Sequence, residues 1–210
     1  DRTVLVTGHQ TAGRGRLDRR WDAPPGTNLL VSVLFRADDE LRLDPGLATR
    51  RIALAGASAA QRFTSCHVAL KWPNDLLLDG RKLGGILAQR APDGAVVVGL
   101  GLNVGWAPPD AGRLADDERA VDPLDVLSAL LVALDRPEHG DEPDLIMTEY
   151  RARLDTVGRH VRVVLPDGEL IGRALDVGDD GRLVVLDECG ITHRLDVGDV
   201  VHVRPAGDPD

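Results

Sequence analysis

The stretch HVALKWPNDLLLDGRKLGGILAQR, residues 67–90, decides how the first half of this chain folds. His67–Trp72 reads as a strand that runs into a Pro-Asn-Asp turn. Leu76–Leu78 and Lys82–Arg90 flank Asp79-Gly80, a dipeptide suited to the left-handed positions of a type I′ turn, so this part is a β-hairpin. Working outward, Pro92-Asp93-Gly94 turns the chain into another strand over Ala95–Val104. Upstream, residues 47–63 place Ala and Leu at helical spacing and predict a buried helix. Leu29–Phe35 and Val4–Thr7 read as strands. Downstream the character changes. Asp122–Leu134 predicts a capped amphipathic helix, with Leu124, Leu127, Leu130, Leu131 and Leu134 as its apolar side. Asp144–Leu154 predicts another. After Gly158, five short strands separated by turn signals predict a small barrel: Val161–Leu165, Leu170–Val177, Leu183–Asp187, Gly190–Leu195 and Val200–Arg204. The boundary between the two parts is expected near Val157. There is no internal repeat.

The same stretch holds both lysines of the chain, Lys71 and Lys82, against 23 arginines. A lysine kept where arginine is otherwise the rule points to a need for a compact point charge, which a guanidinium fork does not supply. At 210 residues, 43% hydrophobic and 28% charged, the chain is long enough for one or two domains with a sizeable core. Six aromatic residues are too few for a base-stacking platform. The net charge of −9 is concentrated in residues 110–144, where eleven acidic side chains face three arginines. Residues 10–21 do the opposite: Arg14, Arg16, Arg19 and Arg20 stand against Asp18 alone. One cationic loop on an acidic chain suits a small anion better than duplex DNA, and neither a nucleic acid nor a membrane partner is expected. No apolar run reaches the length of a transmembrane helix. Cys66 and Cys189 have no partner at metal-ligand spacing, and a reducing, cytoplasmic setting is expected.

Three motifs could carry chemistry. In Gly8-His9-Gln10-Thr11-Ala12-Gly13-Arg14-Gly15-Arg16, glycines let backbone N–H groups approach an anion while arginines add positive charge. Arg14-Gly15 stands where a P-loop needs Lys-Ser/Thr, so it is not a P-loop. The second is Lys71-Trp72-Pro73-Asn74-Asp75, a turn after a strand, followed by Lys82 beside Gly84-Gly85. In Gly99-Leu100-Gly101-Leu102-Asn103 no helix can follow, because Ala107-Pro108-Pro109 comes next, so the dinucleotide fingerprint fails. Those glycines instead leave room on a buried strand for a ligand or another backbone. The six histidines show no metal-binding spacing, no serine lies in a nucleophile elbow, and no metal site is expected.

In order and spacing, these motifs resemble the biotin–protein ligase family: Gln10 to Trp21, Pro25-Gly26-Thr27-Asn28-Leu29 with Ser32, Lys71–Asp75, Lys82–Leu87 and Gly99–Asn103. The resemblance covers residues 4–205. It implies an α+β fold, in which a mixed β-sheet catalytic domain of the class II synthetase/biotin–lipoate ligase type spans residues 1–157. An SH3-like barrel would follow over 158–205, then a tail over 206–210. The implied activity is ATP-dependent: biotin and Mg2+-bound ATP give biotinyl-5′-AMP, and biotin then passes to a lysine of a biotin carboxyl carrier domain. The implied catalytic residues are Lys82, Arg14 and Arg16. Biotin would meet Gln10, Arg14, Gly15, Arg16, Trp21 and Lys82. Arg19, Asn74, Asp75 and Asn103 would lie on the ATP side. The alternatives are a lipoate or octanoyl ligase of the same fold, whose members lack the Gly13–Arg16 and Lys71–Asp75 motifs, and a non-catalytic biotin-sensing regulator. Two departures stand out. Asp18 replaces the family's glycine before Arg19. The family's Ser-Thr-Asn segment, which helps form the biotin pocket, would lie upstream of Asp1, so the sequence is expected to start inside a longer chain of the monofunctional type, without a helix-turn-helix.

Overall fold

The computed structural model describes residues 3–17, 19–36, 44–116, 119–135, 142–166, 168–196 and 198–202. Asp18, the acidic-run members Asp117, Glu118, Glu138 and Asp141, the last part of the expected Val200–Arg204 strand and the tail lie outside the described residues.

The first half is a sheet with helices on it. Its strands are β1 (Val4–Thr7), β2 (Leu29–Phe35), β3 (Val68–Lys71), β4 (Asp75–Leu78), β5 (Arg81–Arg90) and β6 (Val96–Leu102), in the spatial order β1-β2-β6-β5-β4-β3. Neighbouring strands pair antiparallel, and single parallel bridges at Leu70–Leu154 and Lys82–Ala111 tie later segments to the sheet. Asp79 (φ 46°) and Gly80 (φ 76°) take the two left-handed positions of the β4–β5 turn, as the Asp-Gly dipeptide predicts.

Helix α1 (Pro45–Gln61) lies on the sheet. It starts two residues earlier than the periodicity suggests. The carboxylate of Asp44 accepts from Gly46 N and Leu47 N at 2.9 and 3.0 Å, and Pro45 needs no N–H partner in the first turn. Small residues along its buried face bring it close to the strands. A Cβ at Gly56 would already stand 3.3 Å from the Leu76 side chain.

Helix α2 (Pro123–Leu134) is capped by Asp122, whose carboxylate accepts from Leu124 N at 2.8 Å. Its buried side corrects the expected leucine stripe. Val126, Ala129, Leu130 and Ala133 face inward, while Leu124 is 60% exposed and Leu131 38%. Leu127 and Leu134 of that stripe still pack, partly buried, against the core, so the inward face is turned only part of the way from it. The reason lies in the partner: α2 packs on α1, itself lined with alanines, and Ala129 and Ala133 allow the two backbones to approach. Helix α3 (Pro143–Ala152) also contacts α1.

The second half is an antiparallel five-stranded sheet, β7 (His160–Leu165), β8 (Gly168–Val177), β9 (Leu183–Asp187), β10 (Thr192–Leu195) and β11 (Asp199–His202), in the order β10-β9-β8-β7-β11. Val161, Val163, Ala174, Val177, Leu183, Val185 and Val200 form its interior. It is fastened to the first half at several points. Trp72 donates from Nε1 to the Gly181 carbonyl at 3.0 Å. Arg151 Nε donates to the Val177 carbonyl at 2.6 Å.

Candidate active site

The Gly-Arg segment folds into a narrow loop. Trp21 N donates to the Gly13 carbonyl at 3.0 Å, Gly15 N donates to the Arg19 carbonyl at 2.6 Å, and Arg14 and Arg20 face each other as a bridge. The glycine at 13 is obligatory, because a Cβ there would sit 2.2 Å from the Trp21 carbonyl oxygen. The loop ends by laying the Trp21 indole over β6. A Cβ at Gly101 would be only 2.6–2.8 Å from the ring. The room that the glycines of β6 were expected to leave is thus taken at Gly101 by a side chain.

Lys82 reaches the same place through an irregularity. Between β4 and β5 the register steps from Leu76↔Gly84 to Leu77↔Lys82, leaving Leu83 as the extra residue. Three residues apart on a regular strand, Lys82 and Gly85 would face opposite sides. The bulge puts both on the cleft side, with the Lys82 ammonium 3.6 Å from where a Gly85 Cβ would stand, and sends Leu83 into the core. The Lys82 ammonium donates to Asp75 Oδ1 at 2.7 Å.

Arg16 crosses from the loop to both halves of the molecule. Its Nη1 donates to Asn74 Oδ1 and to the Gly198 carbonyl, each at 3.2 Å. Burial pulls its guanidinium below the ordinary arginine value, against the opposing pull of Asp199 and Asp75. Asn74 completes its own bonding by donating from Nδ2 to the Ile86 carbonyl at 2.7 Å. Arg19 pairs with the carboxylate of Asp199.

These groups line one cleft of about 460 Å³, bounded by the loop, β5, β6 and the start of β11. All ten residues named from the sequence border it: Gln10, Arg14, Gly15, Arg16, Arg19, Trp21, Asn74, Asp75, Lys82 and Asn103. Gln10 and Arg14 are exposed, whereas Asn103 is buried and bonded to other protein groups. Lys71, the other lysine of the motif, is not among the residues that border it. Its charge acts instead on His202 of β11. Sequence reasoning missed Asp199. It opens β11 in the second half, and only the packing of the two halves delivers it to Arg19.

Comparison with known proteins agrees with this architecture. The pattern of the biotin/lipoate A/B protein ligase family matches residues 1–105, and that of the biotin protein ligase C-terminal domain matches residues 156–203. The biotin–[acetyl-CoA-carboxylase] ligase of Mycobacterium tuberculosis is 40% identical, over 97% of this chain and 80% of that protein. The bifunctional ligase/repressor BirA of Bacillus subtilis is 29% identical, over 90% of this chain and 63% of that protein. The structure of the Aquifex aeolicus biotin protein ligase in complex with biotin and ATP superposes with a TM-score of 0.76 at 25% identity, covering 96% of this chain and 89% of that one. The chain belongs to the biotin/lipoate A/B protein ligase family, on its biotin protein ligase branch.

Proposed function

We propose that this protein activates biotin with ATP as biotinyl-5′-AMP and transfers it to a lysine of a biotin carboxyl carrier domain. The observation that carries the reading at this site is the convergence of Lys82, Arg16 and Arg19 on a single cleft of about 460 Å³. The first step brings together two anions, the biotin carboxylate and the α-phosphate, and expels pyrophosphate. In the second, the acceptor amine attacks the acyl carbon, releases AMP and loses a proton. Both steps need fixed positive charge and excluded water more than a side-chain nucleophile.

Residue by residue, Lys82 stands against the carboxylate and the α-phosphate, with Asp75 orienting its ammonium. Arg14, Gly15 and Arg16 belong to the loop that covers the adenylate, and Arg19 to the pyrophosphate side. Gln10 meets the ureido end of biotin, and Trp21 walls the pocket. Asn74 and Asp75 serve the nucleotide side, and Asn103 shapes that side by holding its loop. Among the described residues, no three His, Cys, Asp or Glu side chains group into a metal site, and Asp75 and Asp199 are paired with Lys82 and Arg19. Magnesium would enter this cleft as part of the ATP substrate, where it would help neutralise the phosphate charge.

We assign the catalytic part to residues 1–157, the barrel to 158–205 and the tail to 206–210. We place the protein in the cytoplasm. No helix among the described residues is long and apolar enough to cross a membrane, and both cysteines are free thiols. The deciding experiment is exchange of labelled pyrophosphate into ATP. It should depend on biotin, and lipoate should not replace biotin. Exchange without biotin, or none at all, would overturn the reading.

A further inference from the structure

Two asparagines, buried but for 4% and 2% of their surface, stand behind the cleft. Asn28 Oδ1 accepts from Val104 N at 3.0 Å and from Trp106 N at 3.2 Å. Since two backbone N–H groups point at that atom, it must be the carbonyl oxygen, and the other end of the amide must be the donor. That donor, Nδ2, points at Asn103 Oδ1, 3.3 Å away. Asn103 is thereby oriented in turn. Its Nδ2 donates to the Gly112 carbonyl at 3.0 Å and to the Lys82 carbonyl at 3.4 Å. Every bond in this chain runs in one direction, so each amide fixes the next.

The chain ends at Lys82, and its neighbours end there too. Gly112 N donates to the Lys82 carbonyl at 2.9 Å, and Asn103 N donates to the Leu83 carbonyl at 2.8 Å. These residues flank the bulge that turns Lys82 into the cleft. Pro108 and Ala111, in the loop closed by the same bonds, form part of the cleft wall, whereas Asn28 itself does not border it.

We infer that Asn28 is a positioning residue for the ligase reaction: its carboxamide, acting through Asn103, holds the Lys82 backbone at the bulge and so aims the ammonium at the reacting groups. This rests on the ligase reading above. Asn28→Asp is the informative change. It has the same shape and still accepts from Val104 and Trp106, but it turns a lone pair instead of an N–H toward Asn103. Asn28→Ser is milder, since its hydroxyl keeps one donor and one acceptor in a smaller volume.

Biotin-dependent pyrophosphate exchange should be measured on wild type, Asn28→Asp, Asn28→Ser, Lys82→Ala and the combinations with Lys82→Ala, with melting curves and rates expressed per folded molecule. Misaiming Lys82 should lower kcat by about 10²-fold for Asn28→Asp, and less for Asn28→Ser, with KM for ATP within about twofold of wild type. On the Lys82→Ala background, neither Asn28 change should lower the rate further, because the group it acts through is gone. Wild-type kcat in the folded Asn28 variants would overturn the inference, as would losses that multiply in full with Lys82→Ala. If Asn28→Asp does not fold, the Asn28→Ser pair decides by the same two criteria. Absence of exchange in wild type would overturn the ligase reading itself and this inference with it.

Discussion

Lys82 owes its placement to three neighbours: Asp75, which takes its ammonium at 2.7 Å, Gly85, which leaves space beside it, and the bulge at Leu83. A compact ammonium on a flexible stem can sit between two anionic reactants where a planar guanidinium cannot. Lys82→Ala should therefore lower biotin-dependent pyrophosphate exchange by about 10²-fold or more, the cost of losing one preorganised donor at developing charge. Lys82→Arg should not restore it. An unchanged rate in Lys82→Ala would refute a catalytic role for this ammonium. Gly101 illustrates a different constraint. An added methyl would meet the Trp21 ring at 2.6 Å. Gly101→Ala should destabilise the fold by about 1–3 kcal/mol through overpacking. It should also weaken biotin binding, because Trp21 must leave its place on the cleft wall. Calorimetric titration of biotin, alongside thermal melts, checks both halves of that expectation.

At the scale of elements, α2 shows why an apolar count misleads. Five leucines at helical spacing look like a core stripe, yet a leucine stripe and a close-packed stripe are different things. The neighbour α1 presents mostly alanines, and backbones that approach so closely favour Ala129 and Ala133 at the contact. Leu130 is 1% exposed and Leu124 60%. Leu130→Ala should cost about 2–5 kcal/mol by opening a cavity. Leu124→Ala should change stability by less than about 0.5 kcal/mol. Urea melts of the two variants with a common m-value test the assignment, and similar losses in both would place the buried face wrongly. The turns were easier to read. Asp79-Gly80 and the cap at Asp122 act within a few residues of themselves, so no distant partner could overrule them, whereas the Asp44 cap of α1 is not read from the periodicity.

For the whole molecule, the junction between the two sheets carries a consequence for pH. His202 on β11 faces Asp155, Thr156, Arg159 and Lys71. Burial first, and then the nearby Lys71 charge, hold its imidazole down to about 4, although Asp155 pulls the other way. An unfolded chain would protonate it near the ordinary value of about 6.5. Between those values the unfolded state binds the extra proton, so this contribution to stability is fully present above about pH 6.5 and is lost as pH falls toward 4. Melting temperatures followed over that window should decline, and His202→Gln should flatten the decline. An identical slope in the variant would assign the effect to other groups. The same junction brings Gly198 and Asp199 to Arg16 and Arg19, so the second sheet supplies part of the cleft as well as its own interior.

What the residues determined by themselves was local or carried by ordered motifs. Strands, turns, the α2 cap and the cationic loop were legible because each depends on neighbours close in sequence. The ten cleft residues were legible because five motifs in one order resemble a known family. Tertiary structure alone decided the rest. It chose which face of α2 is buried, left Lys71 off the cleft wall while Lys82 stayed on it, and brought Asp199 across 180 residues to Arg19. It also joined Asn28 to Asn103, 75 residues apart, behind Lys82. The physical reason is common to all four. Packing and buried hydrogen bonds are settled between segments that meet only when the chain has folded, and no local pattern encodes a partner that far away.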